Sequence, residues 1–348
     1  MSKHAMTRRE AMRLIAGVPL AAGAAGFPGA VSAASAADTV KCVNVGFVLG
    51  IHCPPTYGVL DECPKFGLQV EMQRLQSLRV ILQTIMGGTG DIGVGEPIML
   101  LVARQAGNDL VIFGNYYLHT SLVVAVNADR IQTWKDLEKP DVTVGINSQG
   151  DITQVMIIGG FLKNGGDLSK VKWADVGGSG TRMRALLGNR VQATVVHFDQ
   201  MPEIQKTGNY KVILVPHREY DPWINEIVFA RADWLKNPAN RTKAVAFMKG
   251  ILIASRRATA DFAYFRNAFV KYATLKEKDT MPEAEMRALW KALGQDIGVW
   301  PADNAFRAAN IEKLLPYYRA AKAIDDKPVN LAAAMDLSIV AQALKELG

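Results

Sequence analysis

Leu82 to Pro97 reads LQTIMGGTGDIGVGEP: an apolar helical run, a glycine cluster, a short strand-like run, and a proline suited to opening another helix. Inside it, GTGDIG at Gly88 to Gly93 matches the dinucleotide pattern GxGxxG. A phosphate-binding turn must follow a strand and open a helix, whereas these glycines follow a helix and precede a strand. The cluster is therefore read as a helix end and turn. It joins helix to strand inside an α/β layer and binds no nucleotide.

The same alternation extends in both directions. Upstream are VNVGFV from Val43, a helix to about Cys63, LQVEMQ from Leu68 and SLRVILQTIM; downstream are PIMLLVARQAG and LVIFGNY. That rhythm predicts a first α/β lobe. SLVVAV, Ser121 to Val126, opens a second series: TWKDL, VTVGI, ITQVMIIGGFLKNG, VKWADV, TRMRALLG and VQATVV. YKVILV and NEIVFA, around Tyr210 to Ala230, carry the chain back. From Pro238 onward the pattern is almost wholly helical, and its Met and aromatic stripe is read as core packing. Lobe one is predicted over 37–120 and 220–348, and lobe two over 121–219. Two crossings between lobes make a hinge and a cleft, and both lobes should face that cleft with their post-strand loops.

The first 36 residues read differently. Lys3, Arg8, Arg9 and Arg13 precede a weakly apolar run from Leu14 to Gly29 and then small residues, the form of a secretory signal cleaved after Ala33 or Ala36. TRREAMR, Thr7 to Arg13, resembles the twin-arginine export motif. Cys42 lacks the small apolar residues that precede a lipid-attached cysteine. A soluble, unanchored periplasmic protein is expected, with no membrane-spanning segment in the mature chain.

The formal net charge is +7. Four cations and Glu10 in the first 36 residues account for +3 of it, so the mature chain is only mildly basic. Without Lys/Arg runs interleaved with aromatics, nucleic acid is not an expected partner. There is no GxxxxGK[ST] loop, no HExxH and no GxSxG elbow. No catalytic residue, metal or cofactor is predicted.

Taken in order, VNVGFV, KFGLQVE from Lys65 to Glu71, LQTIMGGTGDIGVGEP, ADRIQTWKDLEKPDVTVGI from Ala128 to Ile146, ALLGNRVQATVV from Ala185 to Val196 and the terminal MDLSIVAQALKELG resemble the sulfonate, taurine and nitrate binding-protein family, which also includes binders of thiamine-precursor pyrimidines. The resemblance covers nearly the whole mature chain. It implies a type II periplasmic-binding-protein fold, hinged closure on a small molecule, and permease subunits of an ABC importer as partners of a monomer. The sequence departs from the family where DECP, Asp61 to Pro64, shortens a turn. Rivals are an enzyme on the same fold, of the thiamine-pyrimidine-synthase or menaquinone-pathway kind, and a ligand sensor.

Candidate ligand-binding residues follow from post-strand position. Lobe one offers His52, Gln76, Ser77, Glu96 and Tyr116; the first crossing offers His119 and Thr120. Lobe two offers Ser148, Gln149, Asp151 and Thr153 at one helix start, Ser179 and Thr181 at the next, and His197 and Asp199 after VQATVV. A free helix N-terminus favours an anionic ligand of sulfonate, carboxylate or nitrate class, although Ser148 or Asp151 serves equally as a plain cap. Glu96 suits an amine or amidine on the ligand, or else caps the helix that begins at Pro97. Arg182 is either a solvated charge or a clamp. Of the three cysteines, Cys42–Cys63 is the geometrically reasonable disulfide, because a helix between Cys53 and Cys63 holds that pair about 15 Å apart; three free thiols are the alternative.

Overall fold

The computed structural model describes residues 38–45, 49–75, 78–214, 226–303 and 306–348. The export segment lies outside the described residues. Residues Ala37–Gly348 form one compact unit.

Two five-stranded sheets build it. In the first, β1 (Asp38–Val45) pairs in parallel with β2 (Leu68–Leu75) along its whole length and with β3 (Ile92–Gly95). Strand β4 (Leu110–Asn115) forms the other edge, and with β10 (Ile227–Arg231) the order is β2-β1-β3-β10-β4. The fourth position belongs to β10, antiparallel to both neighbours. The second sheet repeats this plan with β5 (Leu122–Asn127), β6 (Val144–Ile146), β7 (Trp173–Asp175), β8 (Ala193–His197) and β9 (Tyr210–Leu214), in the order β7-β6-β8-β5-β9. There β5 runs antiparallel to β8 and β9. Each sheet therefore takes its antiparallel strand from the first strand after a crossing. Strand direction leaves no trace in side-chain pattern.

The helices fall where the periodicity put them. Helix α1 (Pro54–Glu62) opens on two prolines, whose missing N–H groups cost nothing in a first turn. It ends in a 3-10 turn, Cys63–Phe66, closed by Gly67 at φ 74°, which is where the shortened DECP segment lies. Helix α2 (Leu78–Met86) ends at the glycine cluster: Thr89 and Gly90 N–H donate to the Thr84 carbonyl, and Gly88 has φ 73°. Helix α3 (Pro97–Gln105) follows β3. In the second sheet α4 (Ile152–Lys163) follows β6, α5 (Ser179–Leu187) follows β7, and the short α6 (Met201–Lys206) follows β8.

The 23-residue helix Pro238–Ala260 packs along α1 and against the last helix, Ser338–Leu347, which also meets β4. At the crossing with α1, Gly58 lies so close to Ala254 that an added Cβ would stand 1.7 Å from the Ala254 Cβ. Only a residue without a side chain fits there. The late helix Leu315–Ala320 packs against α4, beside the second sheet, so the C-terminal region reaches past the first sheet. Cys42, Cys53 and Cys63 are buried and unbridged. Burial pushes the Cys42 and Cys63 thiols well above their usual range. No helix of the described residues is long and apolar enough to cross a membrane.

Candidate functional site

The loops after β1 and β3 meet the loops after β6 and β8, and polar side chains from the two sheets touch. His52, after β1, points its Nδ1 at Asp199 Oδ2, 3.3 Å away, in the turn after β8. The His52 ring lies face to face with His197, the last residue of β8, at 4.0 Å and 12°. Glu96, after β3, accepts a hydrogen bond from the backbone N–H of Ile152, the first residue of α4, at 3.1 Å. It makes no side-chain cap on the helix that begins at Pro97, contrary to the capping alternative, and instead accepts from the start of α4.

The start of α4 is fully engaged. Asp151 accepts from Thr153 N, Gln154 N and Thr153 Oγ1, and Thr153 Oγ1 accepts from Asn147 N. With Ile152 N on Glu96, the first three amides of the helix all have carboxylate partners. A carboxylate of the protein itself stands where a solute anion was expected.

Arg182 is not a solvated charge. It is 4% exposed, and donates through Nε to the Val195 carbonyl at 2.7 Å and through Nη1 to Gly177 at 2.6 Å. Burial brings its pKa down to about 10, against the opposing pull of Asp151 and Glu96.

Other candidates divide. Tyr116 is fully buried, its hydroxyl bonded to Thr56 Oγ1, and packs edge-on to Tyr117 at 5.1 Å. Thr120 is buried with Oγ1 accepting from Leu122 N, and His119 lies beside Gly298. Ser179 Oγ donates to Gln200 Oε1 at 2.5 Å, and Gln200 Oε1 also receives His197 N. Thr181, Ser148 and Gln149 are exposed; Gln149 lines a groove of about 770 Å³ beside α4 and Leu315–Ala320 that holds none of these charged groups. Gln76 and Ser77 lie outside the described residues.

One acidic residue escaped the sequence reading. Glu226, just before β10, accepts from Tyr116 N and Tyr117 N through its backbone carbonyl. Its carboxyl is enclosed: burial raises its pKa from 4.5 to about 7, with His52 opposing. Its only sequence signal was a lone acid at the head of an apolar strand.

Charges in this cluster are strongly perturbed. Burial, then the neighbouring Asp151 carboxylate, raises the Glu96 pKa well above the carboxylate range. Burial also raises Asp151. Burial acts to lower His52, but the Cys53 sulfur and the Asp199 carboxylate outweigh it and hold the imidazole well above its usual value. Burial and then the His52 charge depress His197. Asp199 is held below its usual value by His52 in spite of burial.

The Glu226 shift gives a pH prediction. A carboxyl whose folded pKa exceeds its unfolded value stabilises fully below the unfolded value, and that contribution is lost as pH rises through the folded one. Between pH 5 and pH 8 the wild type is expected to lose on the order of 2 kcal/mol relative to Glu226→Gln. Glu96, His52, Tyr116 and Tyr117 surround the group in both proteins. Urea unfolding across that range checks it; parallel curves would show that Glu226 is solvated.

The NMT1/THI5-like family model matches residues 65–262, more than half of the chain. Among solved structures the chain is similar to a putative periplasmic sulfonate-binding protein of Methylobacillus flagellatus, with a TM-score of 0.68 and 16% identity over 90% of this chain and 95% of that one. It is also similar to the periplasmic nitrate-binding protein of Synechocystis, with a TM-score of 0.69 and 14% identity over 89% of each chain. A third is the periplasmic aliphatic sulphonate-binding protein of Escherichia coli, with a TM-score of 0.62 and 13% identity over 85% of this chain and 91% of that one. Identities this low show a shared fold, that of the periplasmic binding proteins. The sequence matches none of the curated proteins compared with it.

Proposed function

We propose, from the premise that this chain belongs to the NMT1/THI5-like family, that it is a periplasmic solute-binding protein of an ABC importer and delivers its solute to permease subunits. The observation that carries this reading is the meeting of polar side chains across the two sheets, His52 with Asp199 and Glu96 with the start of α4. A small molecule held between post-strand loops of two sheets is the binding arrangement that such sheets support. The twin-arginine-type leader agrees with a site beyond the inner membrane.

The balance of charge narrows the solute. Glu96, Glu226, Asp151 and Asp199 surround the cluster, while Arg182 is spent on backbone carbonyls. A solute presenting N–H donors, as an amine, amidine or aminopyrimidine does, pairs with Glu96 without displacing anything. A sulfonate, carboxylate or nitrate must first take the start of α4 from Glu96.

A thermal-shift panel of aminopyrimidines, amidines, sulfonates, carboxylates and nitrate separates the two. A solute at 100 times its dissociation constant adds about 2.7 kcal/mol to stability. The donor-bearing compounds are expected to stabilise the wild type and to bind Glu96→Gln about tenfold less tightly. An anion that stabilises the wild type and binds Glu96→Gln more tightly would overturn the donor reading and leave the anion class.

A further inference from the structure

We infer that His52, His197 and Asp199 form a site for one borderline divalent transition-metal ion, zinc in the first instance, at the seam between the two sheets.

The donors are already gathered. One ring nitrogen of each histidine and one Asp199 oxygen lie within 4.8 Å of one another. Bonds of about 2.0–2.2 Å around a tetrahedral ion set donors about 3.3–3.6 Å apart. Closing that difference requires the His52 and His197 rings, stacked 4.0 Å apart at 12°, to turn until the in-plane lone pair of each faces the ion. His197 and Asp199 are two residues apart around a tight 3-10 turn, Phe198–Gln200, which makes a chelating pair. His52 supplies the third donor from the other sheet.

Two features of the surroundings suit a metal better than they suit a plain ion pair. His197 Nδ1 is held by Ser121 Oγ at 2.8 Å, the outer hydrogen bond that fixes metal-bound imidazoles, and this leaves Nε2 as the coordinating nitrogen. Asp199, with a side chain 7% exposed, gives Oδ2 to His52, while its buried Oδ1 has no hydrogen-bond partner among the described residues. An enclosed carboxylate oxygen without a partner is costly unless something binds it. The His52 backbone is fixed as well, since Trp300 Nε1 donates to its carbonyl at 3.0 Å.

Two imidazoles and a carboxylate select zinc, cobalt, nickel, copper or ferrous ions over calcium and magnesium. Three protein ligands leave a position open to water or to a donor atom of the solute, the pattern of an exchangeable site. Because the ligands come from both sheets, the ion ties one sheet to the other.

The test uses untagged, metal-stripped mature protein and metal alone, so it succeeds or fails independently of the solute panel. Titration with zinc against a chromophoric chelator is expected to show one equivalent bound. Cobalt is expected to give the intense visible bands of a low-coordinate nitrogen and oxygen site. His197→Gln and Asp199→Asn should each weaken zinc about tenfold or more, while Glu283→Gln, at an exposed carboxylate that pairs with Arg287, changes nothing. No stoichiometric binding, or full affinity in both cluster variants, would overturn the assignment. Should a variant fail to fold, the wild-type cobalt spectrum still decides, because the weak bands of a fully hydrated ion overturn it.

Discussion

Replacing Arg182 with alanine is expected to destabilise the protein by about 3–5 kcal/mol, the cost of removing one partner from a buried charged network. The side chain sits between β8 and the loop after β7, where it satisfies the Val195 and Gly177 carbonyls. Its charge also offsets the enclosed carboxylates of Asp151 and Glu96. Alanine leaves two carbonyls without their donor and removes the charge that faces two acids. Arg182→Lys keeps a cation but not the fork that reaches both carbonyls, so it should lose less. Urea unfolding of the three proteins gives the comparison. A loss within about 0.5 kcal/mol for alanine would mean a solvated surface arginine, contrary to this packing.

Gly58→Ala carries the second large effect, and its sign opposes helix propensity. In an open helix this change stabilises by up to about 1 kcal/mol. Here the new methyl would meet the Ala254 Cβ at 1.7 Å and its Cα at 3.1 Å, across the crossing of α1 with Pro238–Ala260. Both neighbours are carried on backbone, so the helices must part. The expected loss is about 3 kcal/mol, at the upper end for overpacking. The swap Gly58→Ala with Ala254→Gly moves the methyl to the other helix and should recover most of it. Circular dichroism melts of the single and double variants check this, and a stable single variant would show that the two helices do not cross so closely.

Side-chain pattern carried most of the fold. Strand-like runs at LQVEMQ, VTVGI and VQATVV, and helical runs at ITQVMIIGGFLKNG and TRMRALLG, lie on the elements that the structure shows, whereas β1 begins at Asp38, five residues before VNVGFV. The pattern was silent where backbone direction decides, at β5 and β10. Of the candidate site, His52, Glu96, His197 and Asp199 were legible because post-strand position alone brings them to the facing loops. What they touch was not legible: the link from Glu96 to Ile152 joins residues 56 positions apart on opposite sheets. Arg182 looked like a surface residue because one arginine in a first helical turn usually is, and its burial depends on β8. Glu226 was hidden at the head of an apolar strand, where an acid is ordinarily a solvated end.

Capture of a solute between the two sheets is tested most directly by small-angle X-ray scattering on the mature protein, with and without a saturating solute drawn from the panel. Closure of one sheet's loops on the other is expected to reduce the radius of gyration as the solute saturates, with the dose dependence of binding itself. Confirmed binding with an unchanged radius would contradict capture by closure and place the solute in a preformed site.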